Sequence, residues 1–125
     1  MTEKVLIIDD TPVIRELLKD VLTDFGFEVS IAENGQIGVD LVRDEDFAMI
    51  FCDVHMPIMG GLQAVIQIKK MKPQIPIIMT DSFPDKEAEK AQQAGAVLCL
   101  AKPFDLDELR AAVTHLLGKR EVKTD

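Results

Sequence analysis

Asp53 ends the apolar run Phe47 to Cys52 and opens a loop containing Pro and Gly, His55-Met56-Pro57-Ile58-Met59-Gly60-Gly61. A lone carboxylate in that position can serve as a nucleophile or as a ligand for a hard cation. A second acidic point lies upstream, where Val5-Leu6-Ile7-Ile8 runs into the adjacent carboxylates Asp9 and Asp10. Two like charges side by side repel unless something positive sits between them. The same punctuation occurs twice more. The run Ile75–Thr80 ends in a hydroxyl, and Val97–Ala101 is followed by Lys102-Pro103-Phe104. Taken singly, each has a plainer reading: Asp53 as a helix cap, Asp9 and Asp10 as solvated turn residues. Together they place three carboxylates, a hydroxyl and an ammonium at the ends of four apolar runs.

The runs themselves are short and read as strands buried on both faces, as in a parallel sheet. Strand 1 covers Lys4 to Asp10, strand 2 Glu28–Ala32, strand 3 leads to Asp53, strand 4 is Ile75–Thr80 and strand 5 Val97–Ala101. Helices alternate with them. Thr11 and Pro12 supply an N-cap and an N1 proline for helix 1, in which Val13, Ile14, Leu17, Leu18, Val21, Leu22 and Phe25 form an apolar face before Gly26. Asn34-Gly35 turns the chain into a weaker helix carrying Ile37, Leu41 and Val42. Asp44, Glu45 and Asp46 then read as a solvated acidic loop. Helix 3 runs from Gly61 to about Lys72. Helix 4 is opened by Pro84 and offers only Ala88, Ala91 and Ala94 inward, so it buries little apolar area. The last helix begins at Asp105, directs Leu106, Leu109, Val113, Leu116 and Leu117 inward, and closes at Gly118.

Strict alternation of this kind predicts an α/β fold, a doubly wound five-stranded parallel sheet with helices on both faces. In such a sheet all carboxyl ends share one edge, where ligands bind. Asp9, Asp10, Asp53, Thr80 and Lys102 therefore converge.

Composition limits the alternatives. The chain has 125 residues, enough for one domain with a core, and a net charge of −8. That balance disfavours direct nucleic-acid binding, which needs clustered Lys and Arg. No apolar run approaches the ~20 residues of a membrane span. Thr2, Glu3 and Lys4 lead straight into strand 1 without a signal-peptide pattern. Cys52 and Cys99 lack metal-ligand spacing and read as buried, reduced thiols, which points to the cytoplasm. His55 and His115 form no triad-like arrangement, and no Walker pattern occurs. Three carboxylates in one crevice suit Mg²⁺, which takes one or two protein carboxylates and keeps waters and phosphate oxygens. An aspartate nucleophile, a metal, a Lys and a hydroxyl are together the parts of a phosphoryl-transfer site.

With these residues in view, the chain resembles the receiver domains of two-component response regulators, similar to the single-domain chemotaxis regulators, over essentially its whole length. The resemblance rests on Asp9-Asp10, on the D-x-x-M-P-x-M segment Asp53 to Met59 with Gly61, on Thr80, and on Lys102-Pro103-Phe104. It implies a flavodoxin-like strand order 2-1-3-4-5, with residues 1–120 as the receiver and 121–125 as a polar tail. It implies that Asp53 accepts a phosphoryl group from a sensor histidine kinase. Asp10, Asp53 and the backbone carbonyl of His55 would ligate Mg²⁺ directly, and Asp9 would hold a bound water. Thr80 would move onto the phosphoryl group, Lys102 would ion-pair with it, and the Lys102–Pro103 bond would be cis. The face built by helix 4, strand 5 and helix 5 would signal to a downstream effector protein or domain, or form a homodimer.

Three positions depart from the family pattern. Gly60 stands where Asp or Asn is usual, Asp81 where a small residue follows the strand-4 hydroxyl, and Cys99 where Tyr or Phe is frequent. Asp81 carries two opposed expectations. Either its charge lies close enough to an incoming phosphoryl group to slow the reaction, or it points into solvent and favours the start of helix 4. A pseudo-receiver that binds partners without phosphorylation is the alternative. Asp53, Thr80 and Lys102 speak against it, and Asp81 and Cys99 speak for it. A Mg²⁺-dependent phosphohydrolase would carry a second acid two positions after the nucleophile, where this chain has His55.

Overall fold

The computed structural model describes residues 3–81 and 86–116. Five strands, β1 (Lys4–Ile8), β2 (Glu28–Ala32), β3 (Met49–Asp53), β4 (Ile77–Asp81) and β5 (Leu98–Ala101), form one parallel sheet in the order β2-β1-β3-β4-β5. The helices between and after them are α1 (Pro12–Asp24), α2 (Gly35–Asp44), α3 (Gly61–Met71), α4 (Lys86–Gln93) and α5 (Leu106–Leu116). The expected α/β fold and strand order are both observed.

Because strand side chains alternate between faces, each strand feeds two cores. Leu6, Ile8, Ile50, Cys52, Ile77 and Met79 pack on one face with Val39 and Val42 of α2, Ala64, Val65 and Ile68 of α3, and Ala88 and Ala91 of α4. Val5, Ile7, Met49, Phe51, Ile78 and Leu100 pack on the other with Leu18 and Leu22 of α1 and Leu109, Ala112 and Val113 of α5. All five residues of β3 are buried, as a central strand requires. Every residue of β4, Asp81 included, is buried as well.

Several expectations need correction. β4 starts two residues late, since Pro76 has no N–H to donate and only its carbonyl enters the pairing, accepting from Ile50 N at 3.0 Å. It also runs one residue further, because Asp81 pairs with Ala101 and its carbonyl accepts from Lys102 N at 2.7 Å. β5 begins at Leu98, not Val97. Val13 is 74% exposed, and Leu17 and Leu106 about half exposed, so the apolar stripes of α1 and α5 are wider than the faces they bury. Asn34 is a helix cap, its side chain accepting from Ile37 N at 2.9 Å. The acidic stretch is not simply solvated: Glu45 pairs with Lys4 at 2.9 Å and Asp46 with Lys72 at 2.8 Å. Ala94 follows α4 and is half-buried. Pro84, Leu117, Gly118 and the tail lie outside the described residues.

Candidate functional site

The site forms at the carboxyl edge of β1, β3, β4 and β5. The alternation that sends Ile8, Cys52 and Met79 to the α3 side sends the next residues, Asp9, Asp53 and Thr80, to the α1 and α5 side. Asp53 and Thr80 are also partners in the β3–β4 register. Lys102 leaves β5 through a cis peptide bond to Pro103. Its ammonium lies 3.0 Å from Asp9 Oδ2 and 3.4 Å from Asp53 Oδ1. Asp9, Asp10 and Asp53 each offer a carboxylate oxygen within 4.8 Å of the others. Asp10 is exposed, whereas Asp9, Asp53 and Thr80 are buried.

Local structure holds these groups in place. Asp9 accepts from Thr11 N at 2.8 Å, so the acidic pair shapes its own turn into α1, and Thr11 makes no side-chain cap. Arg15 on α1 donates to the Asp9 carbonyl at 3.0 Å, a contact that the sequence pattern did not single out. Just after β3, Val54 N donates to the Thr80 carbonyl at 3.0 Å and Gly61 N to the Val54 carbonyl at 2.8 Å. Gly61 is required there, since a Cβ would meet the Asp53 carbonyl and the Met79 methyl group. Gly60 caps α3 with no side-chain bond, the consequence of lacking the usual carboxylate or amide.

The electrostatics follow from burial. Desolvation, and after it the Asp9 charge, raise the Asp53 carboxyl to about 6, against the pull of Lys102. Burial opposes the charge on Lys102, yet Asp9 and Asp53 together hold its ammonium above the usual range. Among the described residues, the Lys102 ammonium pairs with Asp9 and Asp53 within a cluster of three carboxylates. An all-oxygen donor set with excess negative charge fits Mg²⁺. Burial, then Asp53 and Asp9, raise the Cys52 thiol, which is therefore unreactive. Cys99 is half-buried and packs against the α3-side core. His115 is exposed on α5.

His55, expected to lend its carbonyl, and Asp81, a departure from the family pattern, sit differently from the rest. His55 is on the loop after β3, and its imidazole points toward Asp81, with Nε2 3.7 Å from Oδ1. Asp81 is not solvated, which removes the expectation that it points into water. As the neighbour of Thr80 on β4, it projects to the opposite face of the sheet from Asp53. No sequence signal could have paired it with His55, because the contact depends on the β3–β4 register.

Residues 5–114 match the response regulator receiver domain family. The chain belongs to that family. The sporulation initiation phosphotransferase F of Bacillus subtilis (strain 168) is 33% identical over 94% of this receiver and 95% of its own length. The receiver spans about a quarter of some other relatives. The transcriptional regulatory protein ZraR of Escherichia coli (strain K12), for example, is 32% identical over 91% of this chain but 26% of that protein. Among solved structures, the response regulator protein TrrA from Thermotoga maritima, in complex with Mg²⁺-BeF, superposes with a TM-score of 0.85 at 31% identity, over 92% of this chain and 99% of that one. Receiver domains are phosphoacceptors that work with histidine kinases and effector domains, and this chain gathers three carboxylates at the carboxyl edge of its sheet.

Proposed function

We propose that Asp53 is the phosphoacceptor of a Mg²⁺-dependent relay and that a sensor histidine kinase is the donor. One Asp53 oxygen attacks the phosphorus of the donor phosphohistidine. The P–N bond breaks, its electron pair stays on the imidazole nitrogen, and an aspartyl phosphate results. Hydrolysis later returns the carboxylate. Asp10, Asp53 and the His55 carbonyl would hold the ion, with Asp9 holding one of its waters. When bound, Mg²⁺ neutralises charge on the transferring group and screens the carboxylates from one another.

The chain's own groups do the rest. Lys102 exchanges part of its contact with Asp9 and Asp53 for a phosphoryl oxygen, and the Thr80 hydroxyl donates to another. The chain is not a dedicated enzyme. It assists its own phosphorylation and its slow dephosphorylation. Ile14, Leu17, Pro103 and Phe104 border Lys102 with an apolar groove of about 400 Å³, a surface that a donor domain would cover. The output surface is α4, β5 and α5, meeting an effector protein, an effector domain or a second copy. Residues 1–120 act as the receiver and 121–125 as its tail. No helix among the described residues is long and apolar enough to cross a membrane, and the cytoplasm is the compartment a kinase-fed receiver would occupy.

The observation that carries this reading is the placement of Asp53 in the acidic cluster, 3.4 Å from the Lys102 ammonium. Acetyl phosphate with Mg²⁺ should add one phosphoryl mass to the wild type and none to Asp53→Asn. Equal labelling of the two proteins would refute it.

A further inference from the structure

Asp81 has a side chain only 1% exposed, on the face of the sheet away from Asp53. A carboxylate buried this deeply is costly unless its environment compensates it. One group that meets it is the imidazole of His55, 3.7 Å away, which is itself half exposed. His55 lies in the β3–α3 loop immediately after Val54, whose amide is tied to Thr80 and whose carbonyl is tied to Gly61. The backbone is thus fastened on the near side of His55, and the imidazole lies against the carboxylate at the end of β4. This is also the residue whose carbonyl the proposed metal site uses.

We propose that Asp81 is a positioning residue for the metal site, holding His55 from the far face of the sheet so that the β3–α3 loop presents its carbonyl to the ion. The proposal rests on the Mg²⁺ reading of the acidic cluster. It gives the unusual residue after Thr80 a role in ion affinity that does not depend on its charge reaching the phosphoryl group. Groups that orient metal ligands typically change affinity by about tenfold or more when removed.

The test is calorimetric titration of Mg²⁺ into the unphosphorylated chain at constant ionic strength. His55→Ala and Asp81→Ala should each weaken binding by about tenfold. The double variant should be no weaker than either single one, because both remove the same contact. Asp81→Asn, which keeps a side chain of the same shape beside the imidazole, should stay near wild type. Equal weakening in Asp81→Asn and Asp81→Ala would show that charge alone acts, and would overturn the proposal. Additive losses, or wild-type affinity in His55→Ala, would overturn it too. His55 is half exposed, so its variant carries the test even if Asp81→Ala fails to fold. Asp10→Asn is the reference: wild-type affinity there would refute the metal site itself and the proposal with it, whereas weak binding there with unchanged His55→Ala would refute the proposal alone.

Discussion

At the scale of single residues, Asp53 and Ile58 are each held at a cost. The Asp53 carboxyl is raised from 3.8 to about 6 by burial and by Asp9, so its charged form is disfavoured in the metal-free fold. The native state then binds more protons than the unfolded chain between pH ~4 and ~6, and stability falls as pH rises through that window. Asp53→Asn, which mimics the protonated form, should therefore raise the melting temperature at neutral pH, by on the order of 5 °C. The gain should shrink as pH falls toward 4, and Mg²⁺ should reduce it; melting curves across pH with and without the ion would show both. Ile58 has φ 70° and is 80% exposed, at the centre of a three-residue turn in which Met59 N donates to the Pro57 carbonyl at 2.8 Å. A β-branched residue in the left-handed region costs about 1–3 kcal/mol, and here little burial offsets it. Ile58→Gly should stabilise the protein by about 1 kcal/mol in urea unfolding. No change or a loss would show that the side chain makes a contribution that its exposure hides.

At the scale of elements, α3 and α4 differ in how firmly they are held. α3 buries Ala64, Val65 and Ile68 and begins at Gly61, where the helix backbone lies directly against the end of β3. Gly61→Ala should cost about 1–3 kcal/mol, since a Cβ there forces the helix start away from the Asp53 carbonyl. The same variant should lose acetyl phosphate reactivity more than a surface Gly60→Ala, whose Cβ would have room at 3.6 Å from the Val54 carbonyl. α4 buries only Ala88 and Ala91, far less apolar area than α1 or α3. Its amides should exchange with solvent faster than those of α3, and beryllofluoride with Mg²⁺ should alter exchange most in α4 and β5. Changes confined to α1 would contradict α4, β5 and α5 as the output face. Cys99, half-buried on β5, carries no ring, so a signal through this face cannot use an aromatic side chain at that position.

For the whole molecule, Lys102 ties together a site assembled from both ends of the chain. Lys102 reaches Asp9 across the sheet, from the end of an edge strand to the end of β1. With a net charge of −8 and three carboxylates gathered at one edge, the metal-free fold carries repulsion that a divalent ion relieves. Mg²⁺ at about a hundred times its dissociation constant should stabilise the fold by about 2.7 kcal/mol. In Asp10→Asn that gain should largely vanish, while the metal-free variant melts no lower than wild type. The surface pairs Lys4–Glu45 and Lys72–Asp46 should contribute little by comparison, each at about 0–1 kcal/mol.

The order of elements, and the meeting of the strand-end groups at one edge of the sheet, were legible in the chain. Short buried strands announce themselves as apolar runs, and a parallel sheet must bring all their carboxyl ends to one edge. Once the runs before Asp9, Asp53, Thr80 and Lys102 read as strands, their meeting followed from topology alone. Helix and strand ends were less legible. Pro76 and Asp81 move the limits of β4 through hydrogen bonds to neighbouring strands, and local sequence does not contain those partners. Val13, Leu17 and Leu106 are apolar at helical spacing, yet how much of a stripe is covered depends on the width of the element facing it. Asp81 shows the division most clearly. Its place directly after Thr80 suggested a charge near the phosphoryl group or in water. Strand alternation instead turned it to the other face, and the register of β3 with β4 set it against His55. Sequence determines which groups end each strand; only the folded sheet decides which face each one takes and what it meets there, because both follow from pairing between segments far apart in the chain.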